Sequence, residues 1–415
     1  MSSWRCLKKS RFAGGLSRGR SQGKNIVSSA RLGVLKTRHG LIQTPFFMPI
    51  ATVGAVKTLT YADLKNLGAS IILSNTYHLM LRPGADSVEK FGGLHKFMHW
   101  DRPILTDSGG YQVFSLAKMR KITDEGVNFQ SHLDGRRWQL TPEKAMEIQY
   151  QLGSDIMMLL DECVGNPAPL TVAKKAVERT QNWAARQMAS AQTAKARRRG
   201  QLVFGIVQGA LNKKLRQQSA RGLVALDCDG YAVGGLAVGE KPVEMYKILE
   251  ATVPELPADK ARYLMGVGRP EQIVEAVKRG IDMFDCVIPT REARHGRLYL
   301  WRAGAKVDIS ATPSRLTRPS TACPPVSRPH GNPAPWHADD FYETITITNQ
   351  KFAADKTPIN AASKFPELRN YSRAYLRHLF VIKEPLAMRL TTLNNVEFYL
   401  DLMVEIRWRI RAGVL

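Results

Sequence analysis

The segment YLMGVGRPEQIVEAVKRGIDMFD (residues 263–285) contains one complete unit of the pattern that decides the fold. It consists of an apolar run (263–268), an amphipathic stretch (269–280) that opens with Arg-Pro-Glu, and a second apolar run (283–285). Proline is favoured in the first turn of a helix, where its missing N–H would have no partner. The segment therefore predicts a strand, a helix and a second strand parallel to the first.

The same pattern repeats through the middle of the chain, which contains eight apolar runs: 46–50, 71–75, 104–107, 156–161, 203–208, 231–235, 263–268 and 283–285. Runs without polar alternation are typical of parallel strands that are covered on both faces. Eight strand–helix units predict an α/β fold, a closed (β/α)8 TIM barrel. The main competitor is a doubly wound open sheet, but no G-x-G-x-x-G follows the first run.

Polar side chains and glycines stand at the ends of these runs, namely Asn75, Asp107, Asp161, Gln208, Gly235 and Asp285. The carboxyl ends of the strands in such a barrel meet at one rim, where barrel enzymes carry their active sites. We therefore expect these residues to lie close together in a catalytic site.

The composition favours a polyanionic partner. The chain has 415 residues and a formal net charge of +24, and a surface this basic attracts phosphate groups. The alternative is a solvated basic face or basic tails. The five cysteines form no C-x-x-C pair, which disfavours a disulfide framework or a cysteine-rich zinc module.

The remaining segments differ from the barrel pattern. Residues 1–30 are rich in Arg, Lys, Ser and Gly, which predicts a disordered basic arm or, alternatively, an organelle transit peptide. We expect the catalytic core over 31–302, a proline-rich disordered insertion over 303–340, and a C-terminal lobe that completes the barrel over 341–415. Within the lobe, the pattern predicts one strand and two amphipathic helices, at 341–348, 371–380 and 395–409.

No apolar run reaches the roughly 20 residues that a bilayer span requires. We therefore expect no membrane partner and a cytoplasmic location, or an organellar one if the N-terminal arm is a transit peptide.

Seven motifs carry a resemblance to a known family: LSNTYHLMLRPG (73–84), LTDSGGYQVFS (105–115), LLDEC (159–163), GIVQG (205–209), YAVGGLAVGE (231–240), YLMGVGRPE (263–271) and MFDCVIPTREARHG (283–296). Together they resemble the tRNA-guanine transglycosylases, (β/α) barrel enzymes that replace a guanine at the anticodon wobble position with a 7-deazaguanine. The likeness covers residues 32–300 with the motifs in order, and resumes from about 345.

The resemblance implies a double displacement through a covalent enzyme–RNA intermediate, without a catalytic cofactor. Asp285 matches the nucleophile and Asp107 the general acid/base. A carboxylate beneath the sugar suits this reaction, because breaking an N-glycosidic bond builds positive charge on the ribose. Alternatively, Asp285 is a strand-end carboxylate that caps a turn, and Asp107 a turn-forming residue in D-S-G-G.

The base site implied by the resemblance comprises Asp107, Ser108, Gly109, Gly110, Tyr111, Asp161, Gln208, Gly235, Leu236 and Met265. Asp161 would accept from the N1–H and amino group of a guanine-like base, while Gln208 and the N–H of Gly235 would donate to its carbonyl oxygen. Tyr111 and Met265 would stack on the two faces of the ring. Without the family, Met265 would more often be a core residue, and Gln208 could merely satisfy the barrel interior.

The implied RNA contacts are Gly266, Val267, Gly268, Arg269, Pro270, Glu271 and Gln272, together with Thr290, Arg291, Glu292, Ala293 and Arg294. Their arginines suit phosphate and base-edge contacts. The resemblance implies a tRNA with a GUN anticodon as the partner. Val238 and Cys163 match the bacterial-type enzymes, which implies that the incoming base is 7-aminomethyl-7-deazaguanine rather than queuine.

The chain departs from the family at its structural zinc site, whose ligands are three cysteines and a histidine. Ser363, Phe365, Leu368 and Asn394 stand at these four positions. We therefore expect no bound metal, and only weak formation of the homodimer that the resemblance implies.

Two other functions compete with catalysis. One is a non-catalytic tRNA-binding paralogue or accessory subunit, which would not need both Asp107 and Asp285. The other is a metal-dependent barrel hydrolase, but the strand ends lack a convergent set of histidines and carboxylates.

Overall fold

The computed structural model describes residues 3–9, 28–116, 119–305, 336 and 340–415. These residues fall into two compact units, 1–287 and 288–415, which are treated separately below. Nearly all of the predicted insertion at 303–340 lies outside the described residues, as does most of the predicted arm at 1–30.

The described part of the first unit contains fifteen strands: β1 (Trp4–Lys9), β2 (Arg31–Thr37), β3 (Gly40–Thr44), β4 (Phe46–Met48), β5 (Ile50–Ala51), β6 (Ile72–Ser74), β7 (Ile104–Thr106), β8 (Arg120–Thr123), β9 (Gly126–Gln130), β10 (Arg137–Leu140), β11 (Ile156–Met158), β12 (Leu202–Val207), β13 (Gly230–Val233), β14 (Ala261–Leu264) and β15 (Met283–Asp285). Its helices are α1 (Tyr61–Leu67), α2 (Thr76–Leu81), α3 (Ala85–Lys90), α4 (Leu94–Met98), α5 (Gly110–Leu116), α6 (Pro142–Leu152), α7 (Leu170–Ala189), α8 (Ala191–Arg198), α9 (Lys213–Val224), α10 (Pro242–Thr252) and α11 (Pro270–Lys278).

A parallel sheet of the order β4-β15-β14-β13-β12-β11-β7-β6-β5 forms the centre of this unit. Its two outer members, β4 and β5, are separated in sequence only by Pro49, so they are two halves of one strand. Since β4 pairs with β15 and β5 pairs with β6, the sheet closes on itself with eight strand positions. The predicted (β/α)8 barrel is confirmed, and each of the eight predicted runs overlaps at least one of its strands.

The barrel interior is filled by large apolar side chains. Phe46, Met158, Phe204 and Tyr263 belong to one buried cluster, with Met265 packed against its edge. Helix α6 begins and ends at recognisable capping signals. Thr141 caps α6 with its side chain, Pro142 occupies the first turn, and Gly153 ends the helix in the left-handed conformation.

The prediction of a disordered arm over residues 1–30 is wrong for β1. This strand pairs antiparallel with β2, and Trp4 is only 1% exposed. Its indole N–H donates to Oγ1 of Thr44 at 3.3 Å, and a Cβ at Gly33 would lie within 2.4–2.6 Å of the indole ring. The sequence did not predict this strand because it is short and the residues around it are basic. The basic composition indicated disorder, although Trp4 is a large apolar residue.

The second unit contains two strands, β16 (Arg297–Trp301) and β17 (Tyr342–Thr346), and four helices, α12 (Ile288–Ala293), α13 (Pro366–Asn370), α14 (Arg373–Val381) and α15 (Pro385–Ala412), in its described part. The two strands pair antiparallel. The strand β17 lies within the predicted range 341–348, α14 overlaps the helix predicted at 371–380, and α15 contains the one predicted at 395–409. Among the described residues, no helix is both long and apolar enough to cross a membrane.

Candidate active site

Asp285 is the last residue of β15 and is only 8% exposed. Two donors hold the same oxygen, Oδ1: the hydroxyl of Tyr263 at 2.5 Å and the backbone N–H of Gly266 at 2.8 Å. Among the described residues, no hydrogen bond reaches Oδ2. Burial raises the pKa of this carboxyl, and the two hydrogen bonds oppose the rise. Asp285 is thus anchored through one oxygen, which leaves the other able to bond to an electrophile.

Asp107 follows β7 and lies against the N-terminus of α2. The backbone N–H of Thr76 donates to its Oδ1 at 2.9 Å, and the side-chain amide of Asn75 donates to Oδ2. Asn75 is also the cap of α2, since its Oδ1 accepts from the N–H of His78. The helix cap therefore fixes the carboxylate of the neighbouring strand.

Burial raises the pKa of Asp107 to about 7, and the nearby charges of Asp285 and Asp161 add to the rise, against the hydrogen bond from Thr76. A carboxyl with this pKa is present in both protonation states at neutral pH. It can give a proton in one step and take one in another, as a general acid/base must.

Asp161 lies beyond the end of β11, and its two oxygens have different donors. Ser108 donates through its hydroxyl to Oδ1 at 3.0 Å, and Gln208 donates through Nε2 to Oδ2 at 2.6 Å. Burial raises the pKa of Asp161, while these two hydrogen bonds lower it. The carboxylate is held in place with acceptor capacity left for a ligand's N–H groups.

Glycines shape the same region. Gly235 has φ +62°, and a Cβ there would lie 2.4 Å from Oε1 of Gln208. A Cβ at Gly110 would lie 2.7 Å from the carbonyl oxygen of Asp161. The backbone at both positions lies so close to polar groups of the site that glycine is favoured there.

The two residues expected to stack on a base have different environments. Tyr111, in α5, is 50% exposed, whereas Met265 is half-buried against the core of the barrel. Leu236 is buried beside Gly235, and Gly109 precedes α5 with φ +80°.

The segments expected to contact RNA lie in both units. In the first, Gly266 and Arg269 are exposed at the start of α11, where Glu271 and Gln272 are half-buried and Val267, Gly268 and Pro270 are buried. In the second, Thr290, Arg291, Glu292 and Ala293 belong to α12, and Arg294 follows it. Arg291 is exposed, while Glu292 accepts a hydrogen bond of 2.8 Å from the hydroxyl of Tyr299.

The four positions of the family's zinc ligands, all in the second unit, do not fit a zinc ion. Phe365 and Leu368 are buried apolar side chains. The hydroxyl of Ser363 donates to Glu397 at 2.5 Å, and the amide of Asn394 donates to the carbonyl of Tyr299 at 2.9 Å and accepts from Asn360 at 2.8 Å. Neither thiolate nor imidazole is present, so a polar network and apolar packing occupy these positions.

Sequence reasoning missed two supporting groups. Tyr263 was counted as part of an apolar run, although its hydroxyl holds the carboxylate of Asp285. Thr76 holds Asp107 through its backbone N–H, a group that every residue except proline has, so the identity of the residue does not indicate the contact. The Asn-Thr pair before a helical stretch is a capping signal that could have indicated the second contact.

Comparisons with known proteins agree with this arrangement. The family model described as queuine tRNA-ribosyltransferase matches residues 26–415. A protein named queuine tRNA-ribosyltransferase from Pelotomaculum thermopropionicum is 47% identical over 390 residues, covering 94% of this chain and 93% of its own. Proteins of the same name from Anoxybacillus flavithermus and Rickettsia typhi are 48% and 46% identical, covering 94% and 92% of this chain and 91% and 94% of their own.

The fold and the site together define a (β/α)8 barrel enzyme with three buried carboxylates at the carboxyl ends of its strands. The chain belongs to the queuine tRNA-ribosyltransferase family.

Proposed function

We propose that this chain is a tRNA-guanine transglycosylase that exchanges guanine at the wobble position of a tRNA with a GUN anticodon for 7-aminomethyl-7-deazaguanine. The observation that carries the proposal is the pairing of Asp285, anchored through one oxygen only, with Asp107, whose pKa of about 7 lets it act as acid and base. The names of the relatives support the same reaction class.

In the first displacement, an oxygen of Asp285 bonds to C1′ of the ribose while the bond from C1′ to N9 of guanine breaks. Guanine leaves with the bonding electron pair and takes the proton of Asp107. In the second, ionised Asp107 removes the N9 proton of the incoming base, N9 attacks C1′, and the ester to Asp285 breaks. Two inversions retain the configuration at C1′.

Base recognition follows from the contacts around Asp161. Its carboxylate accepts from N1–H and the amino group of the base, and Gln208 and the N–H of Gly235 donate to the carbonyl oxygen. Tyr111, whose side chain is 50% exposed, covers one face of the base, and Met265 covers the other. Ser108 orients Asp161.

The substituent at position seven of the base selects the substrate. Val238 is half-buried and Cys163 is buried beside Asp161. A branched valine side chain leaves room for an aminomethyl group and excludes the cyclopentenediol of queuine. Competition between the two bases against guanine tests this, and a preference for queuine would refute it.

The remaining features concern the RNA and the assembly. Residues 266–272 and 290–294 bind the anticodon loop, whose target nucleotide leaves its stack at lower cost than one in a duplex. The chain works without zinc, forms at most a weak homodimer, and acts in the cytoplasm, or in an organelle if the N-terminal segment is a transit peptide.

Incubation with unmodified tRNA and labelled guanine tests the function. We expect label to enter the tRNA, with an Asp285→Asn variant as the negative control. Binding of tRNA without any incorporation would instead support the second candidate, a non-catalytic accessory subunit.

A further inference from the structure

Arg216, in α9, is a fully buried cation held by backbone alone. Its side chain is 0% exposed, and its guanidinium donates to four carbonyl oxygens: Ala210 at 2.8 Å, Val207 at 2.8 Å, Gly234 at 2.7 Å and Gly235 at 3.3 Å. No carboxylate among the described residues forms a salt bridge with it. Burial lowers the pKa of Arg216 to about 10, so it remains protonated at neutral pH.

The four carbonyls lie where two strands pass into the loops that carry the base-binding groups. Val207 ends β12 directly before Gln208, Ala210 follows in the loop, and Gly234 and Gly235 follow β13. One guanidinium therefore fastens both loops at the point where they reach the site. A fork of N–H groups in a fixed plane suits this task better than a flexible ammonium group.

The direction of each peptide follows from these bonds. In a trans peptide the C=O and the next N–H point in opposite directions. The carbonyl of Gly234 points to Arg216, so the N–H of Gly235 points away from it. In the same way, the bond to the carbonyl of Gly235 directs the N–H of Leu236. Neither N–H donates to another described residue.

This backbone conformation needs external support. Gly235 has φ +62°, and a Cβ there would lie 2.4 Å from Gln208 Oε1. Glycine permits the conformation but does not select it, because it populates other regions as readily. The hydrogen bonds from Arg216 supply the selection.

We propose that Arg216 is a positioning residue that aims the N–H groups of Gly235 and Leu236 at the carbonyl oxygen of the purine substrate. The proposal rests on the proposed function, and it adds the group that makes these two donors point into the site.

The test compares how well unlabelled bases inhibit incorporation of labelled guanine into tRNA. Hypoxanthine keeps the carbonyl but lacks the amino group that Asp161 recognises. 6-Thioguanine keeps N1–H and the amino group but presents sulfur, a larger and weaker acceptor. Inhibition constants do not depend on the fraction of active enzyme, so partial loss of folded protein does not affect their ratios.

For the unaltered chain we expect guanine to inhibit about tenfold better than 6-thioguanine, the scale of one good hydrogen bond. In Arg216→Met this ratio should fall by several-fold and remain above one, because Gln208 still donates to the oxygen, while the ratio of hypoxanthine to guanine stays within about twofold. Arg216→Lys, which keeps the charge but gathers its donors on one nitrogen, should give an intermediate ratio. Arg221→Met is the matched control, since Arg221 is exposed on the same helix and pairs with Glu255.

Two outcomes overturn the proposal. If the 6-thioguanine ratio is unchanged in both Arg216 variants, the guanidinium does not aim the donors. If the 6-thioguanine and hypoxanthine ratios change together, Arg216 stabilises the base site as a whole and does not aim these donors. Failure of the proposed function itself would look different, because the unaltered chain would then incorporate no label.

Discussion

Tyr263 donates a hydrogen bond of 2.5 Å from its hydroxyl to Oδ1 of Asp285. The neighbouring strands β14 and β15 bring the two side chains together, and both are buried. Because this bond favours the ionised carboxylate, it opposes the rise in the pKa of Asp285 that burial causes. Tyr263 therefore helps to keep the buried carboxylate of Asp285 charged.

Asp285→Asn should abolish the covalent enzyme–RNA adduct and lower exchange by on the order of 10⁴-fold, the scale for loss of a covalent nucleophile. Denaturing gel electrophoresis of protein mixed with tRNA measures the adduct. Tyr263→Phe is the companion variant, which should still form the adduct but about tenfold more slowly. Near-normal exchange by Asp285→Asn would overturn the assignment.

The two half-reactions should depend on pH in opposite directions. Adduct formation needs protonated Asp107, so its rate should fall as the pH rises above about 7. Attack of a free base on the adduct needs ionised Asp107, so its rate should fall as the pH drops below about 7. Single-turnover measurements of each half-reaction as a function of pH separate the two effects.

Asp107→Asn should slow both steps and leave tRNA binding largely intact. Loss of RNA affinity in this variant would instead mean that Asp107 has a structural role.

Affinity for tRNA should fall steeply as the salt concentration rises. Each phosphate that the basic chain neutralises contributes roughly −0.7 to −0.9 to the slope of log affinity against log salt. Filter binding or fluorescence anisotropy over a salt series measures this slope. A flat response would mean that the net charge of +24 does not face the RNA.

The protein should contain no stoichiometric zinc, and chelators should not change its melting temperature. Elemental analysis of protein purified without chelator measures the zinc content, and one zinc per chain would refute the prediction.

Glu397→Ala should destabilise the second unit by about 1–3 kcal/mol, because it removes the acceptor of the Ser363 hydroxyl and of the Lys364 N–H. Glu343→Ala, on the exposed face of β17, is the control and should have little effect.

Trp4→Ala should destabilise the first unit by about 3–5 kcal/mol, as expected for a buried tryptophan that leaves a cavity. Deletion of residues 1–9 should do the same, in contrast to the prediction of a disordered arm. Urea denaturation of each variant measures the effect. Leu7→Ala, at an exposed position of the same strand, provides the comparison. An unchanged free energy of unfolding after removal of Trp4 would mean that β1 contributes nothing to the fold.

The sequence predicted most of the barrel because buried parallel strands are continuous apolar runs. It also predicted that Asp107, Asp161 and Asp285 would gather, since strand ends share one rim. The contacts that tune these carboxylates were not predictable in the same way. Tyr263 is indistinguishable from a core residue in an apolar run, and Arg216 stands in a helix rich in Lys, Arg and Gln, where a solvated role is the usual interpretation.

The hydrogen bond between Ser363 and Glu397 bears on how the second unit responds to oxidants. A zinc held by thiolates is lost when peroxide converts its cysteines to sulfenic acids or disulfides. The four corresponding positions of this chain carry a hydroxyl, two apolar side chains and an amide, none of which follows that chemistry. We expect this part of the second unit to keep its hydrogen bonds under oxidant concentrations that would release metal from a cysteine-ligated lobe.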